Sequence, residues 1–196
     1  PTGTLDIDYK IDSGNLSASS YAVKLKWLTT GDKIVQVNYT DGHSCSASTP
    51  TIISTTINGL PTITTNGILN EKCYSTSTQN TILNYSLTTN APTSYTIDWN
   101  AVANTAGLSD QSTTVKFFGS GAGSVNTIHL SGSLVAGTYT GTMVIKNGNN
   151  CTNSQDLSVV INGLPIANDI TTPITSVCAD TTIELRANPL GGSGLD

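Results

Sequence analysis

"GTYTGTMVIKNGNNC", Gly137–Cys151, overlays "GDKIVQVNYTDGHSC", Gly31–Cys45, without a gap. Each copy opens on a glycine, runs on as alternating apolar and polar residues, turns at Asn-Gly or Asp-Gly, and closes on a cysteine. Alternation at period two marks a strand with one face buried, and Asn-Gly or Asp-Gly beside such a run is a strong hairpin signal. The stretch reads as strand, turn, strand, and it is written twice. After each cysteine comes a further strand, "TIISTTINGLP" or "DLSVVINGLP", so that "INGLP" stands at Ile57–Pro61 and again at Ile161–Pro165. Asn-Gly turns the chain there and Pro stops further pairing. Ile57 and Ile161 lie 104 residues apart, Cys73 and Cys178 lie 105 apart, and Cys45 and Cys151 lie 106 apart. Landmarks that agree this closely mean tandem domains.

The rest of the chain follows the same period. Lys33–Tyr39, Thr81–Leu87, Thr93–Trp99, Ser112–Phe118, Ser124–Leu130 and Thr138–Ile145 alternate and are rich in Thr, Val, Ile and Tyr, as strands are. Turn signals at Asp41-Gly42, Asn66-Gly67, Gly119–Ser124 and Asn147-Gly148 separate them. Only Asn100–Leu108 offers helix formers, enough for a turn or two. The class is all-β, with the strand spacing of a sandwich. Residues 62–165 are expected to form one complete domain, with strands near 62–67, 79–89, 93–100, 112–118, 124–131, 137–146 and 152–161. Residues 1–61 hold only the later strands of a second copy, and residues 166–196 only the beginning of another. Together the two end pieces make about 92 residues, the size of one domain. Two or three strands do not make an independent sandwich. Residues 166–196 of one unit are therefore expected to pack with residues 1–61 of the next, by continuous chain or by strand exchange.

Composition narrows the setting. Only 11% of residues are charged, while Thr and Ser make up about a quarter of the chain, so hydroxyls and amides keep the surface wet. That suits an extracellular, cell-surface protein. The net charge is −5 with no basic cluster, which excludes a phosphate-backbone partner such as nucleic acid. No apolar run reaches 18 residues, so membrane insertion by a helix is not expected. Pro1 opens in mid-pattern without the features of a signal peptide, as a mature fragment does. Four cysteines in such a chain point to an oxidising compartment, and no CxxC spacing suits zinc. Cys73 is expected to pair with Cys151 inside the complete domain; closing a loop of about 78 residues is worth about 4 kcal/mol of unfolded-chain entropy. By the same logic Cys45 is expected to pair with Cys178 across the repeat junction.

A family resemblance adds to this. "APTSYTIDWNAVANTAGLSDQ" (Ala91–Gln111), "VAGTYTGTMVIKNGNNC" (Val135–Cys151) and "VVINGLP" (Val159–Pro165) resemble the PKD-like, immunoglobulin-like repeats of Bacteroidetes surface proteins. "VCADTTIELRANPLGGSG" (Val177–Gly194) resembles the usual opening of such a repeat, and "WLTTGDKIVQVNYTDGHSCSAS" (Trp27–Ser48) its usual close. Repeats of this kind occur in very long adhesins exported by the type IX secretion system, gliding-motility adhesins among them. The resemblance implies a β-sandwich, a surface location and an adhesive or scaffolding role, and it carries no catalytic residues. In an immunoglobulin-like fold Trp99 is expected as the core tryptophan on an inter-sheet disulfide, and Tyr139 in "AGTYTG" as a tyrosine corner or an ordinary cross-strand aromatic. Trp27 has no counterpart in the complete domain and is expected to add bulk to the split domain's core.

Sites for chemistry are scarce. His43 and His129 are the only histidines; one lies in a hairpin turn and the other on a strand, so neither suggests a catalytic triad. "GSGAG" (Gly119–Gly123) joins two strands and lacks the following helix that would hold a phosphate. Asp169 and its few acidic neighbours make a poor calcium site. "DTT" at Asp180–Thr182 resembles a short Bacteroidetes O-glycosylation sequon, with Thr181 as acceptor. No enzyme, cofactor or metal is expected. Two functions remain. One is a stalk or filament repeat whose partners are neighbouring copies, head to tail. The other is a module that binds surface polysaccharide through the loops Asn100–Asp110 and Gly119–Val125 at one end of the sandwich. An aromatic content of only 6%, mostly inside strands, favours the stalk.

Overall fold

The computed structural model of the chain describes residues 1–16, 22–113, 121–166 and 176–184. Those residues are all-β but for one short helix, and the chain divides into two compact units, Pro1–Gly59 and Leu60–Asp196.

The first unit is two antiparallel hairpins. In one, β1 (Tyr9–Gly14) pairs with β2 (Val23–Trp27), placing Tyr9 opposite Trp27. Their rings meet edge to face with centroids 5.7 Å apart, and the Lys33 ammonium stands 5.8 Å from the Trp27 centroid, within cation–π reach. In the other, β3 (Gly31–Val37) pairs with β4 (Thr51–Ile57), with Gly31 opposite Ile57. Two hairpins have little to bury against. Tyr9 is accordingly the one buried apolar side chain among the unit's described residues, while Val37, Tyr39, Ile52 and Ile53 lie exposed.

The second unit contains β5 (Thr62–Thr64), β6 (Lys72–Cys73), β7 (Gln79–Tyr85), β8 (Leu87–Thr89), β9 (Pro92–Trp99) and α1 (Ala101–Thr105). It continues through β10 (Gln111–Thr113), β11 (Gly123–Leu130), β12 (Gly137–Asn147) and β13 (Thr152–Asn162). One sheet runs β10-β9-β12-β13-β6; β11 pairs with β7, and β5 with β8. Strict alternation in β9, β12 and β13 sends Tyr95, Ile97, Trp99, Met143, Ile145, Leu157 and Val159 inward. There they join Leu83, Val125, Ile128 and Leu130 of β7 and β11 in one buried cluster, so two layers share a core. Between β5 and β6 the chain changes partners: β5 lies beside β8, but Ile68 bridges Ser158 and β6 runs parallel to β13. Gly67 makes the crossing. Its φ is +73°, its carbonyl accepts Ser158 N–H at 2.9 Å, and a Cβ there would collide with the Asp156 carbonyl.

The two long hairpins match atom for atom at their turns. Asp41 Oδ1 accepts the N–H groups of His43 and Cys45 at 2.9 Å each, and Asn147 Oδ1 those of Asn149 and Cys151 at 3.1 Å each. Ser44 and Asn150 both adopt a left-handed φ, 65° and 62°. Gly42 and Gly148 do not take that conformation, so these are not the two-residue turns that Asp-Gly and Asn-Gly suggest. The acceptor side chain of Asp41 or Asn147 organises each loop instead, as Asx residues do. The strands match too: Gly137 stands opposite Ile161 as Gly31 stands opposite Ile57.

The register overturns the disulfide expected inside the complete domain. Cys73 lies opposite Asn162 at the end of β13, whereas Cys151 immediately precedes β13. The 11 residues of β13 separate them, roughly 35 Å at strand rise, against the ~7 Å a disulfide tolerates between Cα atoms. The two cysteines mark opposite poles of the unit. All four thiols are free, with Cys45, Cys73 and Cys178 exposed. The Cys45–Cys178 pairing, expected between neighbouring repeats, rested on the same spacing and loses that support.

Candidate functional site

β9, β12 and β13 lie side by side, and the same alternation that buries Trp99 turns Asp98 outward. Register then sets three polar side chains in a row: Thr142 lies opposite Asp98 on one flank and opposite Asp156 on the other. The Thr142 hydroxyl donates to Asp156 Oδ1 at 3.4 Å. One row along, Thr140 faces Ser158, and Asn100 Nδ2 donates to Thr140 Oγ1 at 2.6 Å. Asn66 and Gly67 wall one side as the chain crosses onto β13. The result is an open groove of about 590 Å³ lined by carboxylates, hydroxyls and amides, with Trp99 beneath. Its two carboxylates have no Lys or Arg ion-pair partner among the described residues. Such a groove can accept hydrogen bonds from a neutral, hydroxyl-rich ligand. No group of three or more His, Cys, Asp or Glu that could hold a metal ion occurs among the described residues.

The loop Asn100–Asp110 is spent on the fold. Asn100 caps α1 by accepting Ala103 N–H at 2.8 Å, Asn104 Nδ2 donates to the Trp99 carbonyl at 2.9 Å, and Asp110 Oδ1 accepts Trp99 N–H at 2.9 Å. Ala103 and Leu108 are buried, which makes the segment a plug over the core's end; Val102 is its one exposed large apolar side chain. Of the other candidate loop, Gly119–Val125, residues 119–120 lie outside the described residues. Of the two loops' described residues, Asn100 alone lines the groove. Asp98 and Asp156 are far apart in sequence, and only cross-strand register shows that they flank one threonine.

The remaining residues singled out by sequence have plain places. Trp99 is 1% exposed in the core, remote from any disulfide, and its indole N–H finds no partner among the described residues. Gly141 makes room for it: a Cβ there would stand 2.9 Å from Trp99 Cε3. Tyr139 is buried and its hydroxyl donates to the Val135 carbonyl four residues upstream at 2.9 Å, a tyrosine-corner contact. Trp27 is half-buried beside Tyr9. His43 is exposed, 4.0 Å from Asp41; His129 Nδ1 lies 2.6 Å from Asn80 Oδ1, and Gln111 clamps its backbone from both sides. Thr181 is exposed, its N–H donating to the Cys178 carbonyl at 3.3 Å. Asp169 lies outside the described residues.

Two groups among the described residues have perturbed acidity. The Thr4 N–H and then the Thr29 hydroxyl hold the Asp8 carboxylate below the usual aspartate range, with Lys33 adding to it. Burial pushes the Tyr95 phenol up, opposed by its hydrogen bond with Thr127 Oγ1 at 2.9 Å. Neither lines the groove. No helix among the described residues is long and apolar enough to cross a membrane.

No family profile and no curated protein matches the chain. Among solved structures it is similar to the Bacteroides ovatus mixed-linkage glucan utilization locus protein SGBP-B, solved in complex with a mixed-linkage heptasaccharide. Identity is 13% and the TM-score 0.28; the match covers 86% of this chain and 40% of that one. A likeness at that level carries no argument about fold or ligand.

Proposed function

We propose that this chain is a non-catalytic structural repeat of a long extracellular surface adhesin or filament, giving length and stiffness through β-sandwich modules arranged head to tail. The observation that carries the reading is the doubled hairpin, which pairs the same glycine and isoleucine at its open end and makes the same side-chain bonds in its turn. Two modules of one design in one chain are what a quasi-one-dimensional array is made of. The immunoglobulin-like, PKD-like resemblance, the boundaries 1–61, 62–165 and 166–196, and Thr181 as a glycan acceptor belong to this proposal. Small-angle scattering of the chain joined to a second copy of itself tests it. Each module should lengthen the particle by about the length of β13, roughly 35 Å, and a compact globule would contradict it. Antibody against the chain should label intact cells without permeabilisation.

The groove favours a second reading, recognition of a neutral surface polysaccharide. Carboxylates, hydroxyls and amides side by side are the groups that bind sugar hydroxyls. If it is right, Asp98→Asn with Asp156→Asn abolishes saccharide retention in affinity electrophoresis while leaving the melting curve in place. A retained polysaccharide unaffected by both changes would place recognition elsewhere.

A further inference from the structure

We propose that Cys73 of one module and Cys151 of the module after it form a disulfide across the joint between them, a staple repeated along the array. This rests on the repeat reading above and adds to it the covalent bond that ties each module to the next.

Within one module the two thiols are out of reach, because the length of β13 lies between them. The same strand sets each cysteine beside one end of the module's chain. Cys73 lies opposite Asn162, the last residue of β13, and Tyr74 donates its N–H to the Asn162 carbonyl at 2.8 Å. Gly163, Leu164 and Pro165 follow at once, so Cys73 stands at the exit. Neighbouring strands lie about 4.8 Å apart and two residues span about 7 Å, which keeps its Cα within roughly 12 Å of Leu164.

Cys151 stands at the entry. The Leu60 carbonyl accepts Asn90 Nδ2 at 2.7 Å, the Asn90 carbonyl accepts Asn147 Nδ2 at 3.2 Å, and Asn147 Oδ1 accepts the Cys151 N–H at 3.1 Å. Two asparagine side chains thus tie the residue before Pro61 to this cysteine. Because "INGLP" is written at Ile57–Pro61 and at Ile161–Pro165, Leu164 stands to the following module as Leu60 stands to this one. The exit cysteine of one module and the entry cysteine of the next therefore flank the same leucine.

Both thiols are open to a partner, Cys73 exposed and Cys151 half-buried. Both kinds recur with the repeat: Cys45 closes its turn on Asp41 as Cys151 does on Asn147, and Cys178 follows Cys73 by 105 residues. The exit end also carries exposed apolar groups. Val135, two residues before the Gly137 that pairs with Ile161, is 66% exposed, and Leu164 is 53% exposed. A following module seated there covers them and holds the two thiols together. The bond itself needs a disulfide oxidant: two thiols give up two protons and two electrons, one S–S bond forms, and the oxidant's S–S bond breaks to two thiols.

The test duplicates Thr62–Pro165 within the full chain, so that the second copy follows Pro165 as Thr62 follows Pro61. Cys45→Ser and Cys178→Ser are present throughout. One version keeps only Cys73 of the first copy and Cys151 of the second, the pair at the joint. The reciprocal version keeps only Cys151 of the first copy and Cys73 of the second, the pair at the outer ends. In oxidised glutathione the joint version should lose two hydrogens by intact mass, as a monomer, at least about 100-fold faster than the reciprocal one. Equal rates overturn the proposal, as does a joint version that stops at its glutathione adducts. Trp99 emission is followed alongside to report folding in both. Scattering length is measured on the reduced joint version, so a lengthened chain without the bond removes the staple alone, whereas a compact chain removes the repeat reading with it.

Discussion

Gly141→Ala tests the packing that defines the second unit's core. The added methyl would stand 2.8 Å from the Asp98 carbonyl oxygen, 2.9 Å from Trp99 Cε3 and 3.1 Å from Trp99 Cα. None of these can give cheaply. Asp98 and Trp99 are in register with Thr142 and Gly141 in the β9–β12 ladder, and the indole is 1% exposed among Ile97, Met143 and Leu157. Relief requires parting two central strands or tilting the indole into a filled core. Overpacking of this kind costs about 1–3 kcal/mol. In a unit of this size each kcal/mol lowers the midpoint by about 4–8 °C, so a fall of roughly 5–20 °C is expected. The assay is thermal unfolding followed by Trp99 emission in a Trp27→Phe background, so that one fluorophore reports. A midpoint unchanged within about 1 °C would refute the placement of Trp99 against β12.

Four further outcomes follow from other contacts. Gly67→Ala should be still more damaging, about 3 kcal/mol or more, because a left-handed φ and a backbone collision combine; urea unfolding of the second unit measures it. The raised Tyr95 pKa stabilises the fold fully below the ordinary value of 10.0, and that share is lost as pH rises through the folded value. Tyr95→Phe should therefore flatten the alkaline limb of the stability profile, and an equally steep limb would count against it. The lowered Asp8 pKa works the other way: its stabilisation is present above 3.8 and disappears as pH falls through the folded value. The Asp8 carboxyl carbon should titrate below 3.8 by NMR, and return toward it in Thr29→Val with less effect than loss of the Thr4 contact. Finally, air oxidation of the dilute chain should give no Cys73–Cys151 bond by peptide mapping, and such a bond in folded material would contradict the register of β6 and β13.

Much of the second unit was legible because its strands are long and half-buried. Ile145, Met143 and Tyr139 alternate with polar neighbours, and so do Ile161, Val159 and Leu157; period two needs nothing more. What escaped depends on which strands lie together. Residues 62–67 read as one strand, but the chain leaves β8 for β13 at Gly67, a change of sheet that no local pattern announces. Asn147-Gly148 marked a turn correctly and its geometry wrongly, since the left-handed residue is Asn150 and the organiser is the Asn147 side chain. The Cys73–Cys151 pairing came from spacing, and spacing cannot say which pole of a sandwich a residue occupies. The groove was hidden for the same reason: Asp98 and Asp156 meet across Thr142 only through two registers.

The two hairpins keep one backbone design and fill it differently. Where the second unit has Gly141 against Trp99, the first has Val35 at the same place in the hairpin. Where the second places its tryptophan on β9, the first carries Trp27 on β2, stacked edge to face on Tyr9 and covered by the Lys33 ammonium. The tryptophan is thus carried on a different strand in each unit. The turn, by contrast, is held to the same atoms: an Asx oxygen on two N–H groups and a cysteine at its close. Register fixes which residues face inward, and a slip of one residue would reverse every one of them. Modules of a long array can therefore vary their filling freely as long as this turn persists. Asn147→Ala should cost about 1–2 kcal/mol, because it leaves two backbone N–H groups without their acceptor. Asp41→Ala should loosen the first hairpin in the same way, read as faster amide exchange at Cys45. A turn indifferent to both changes would mean that strand pairing alone sets the register.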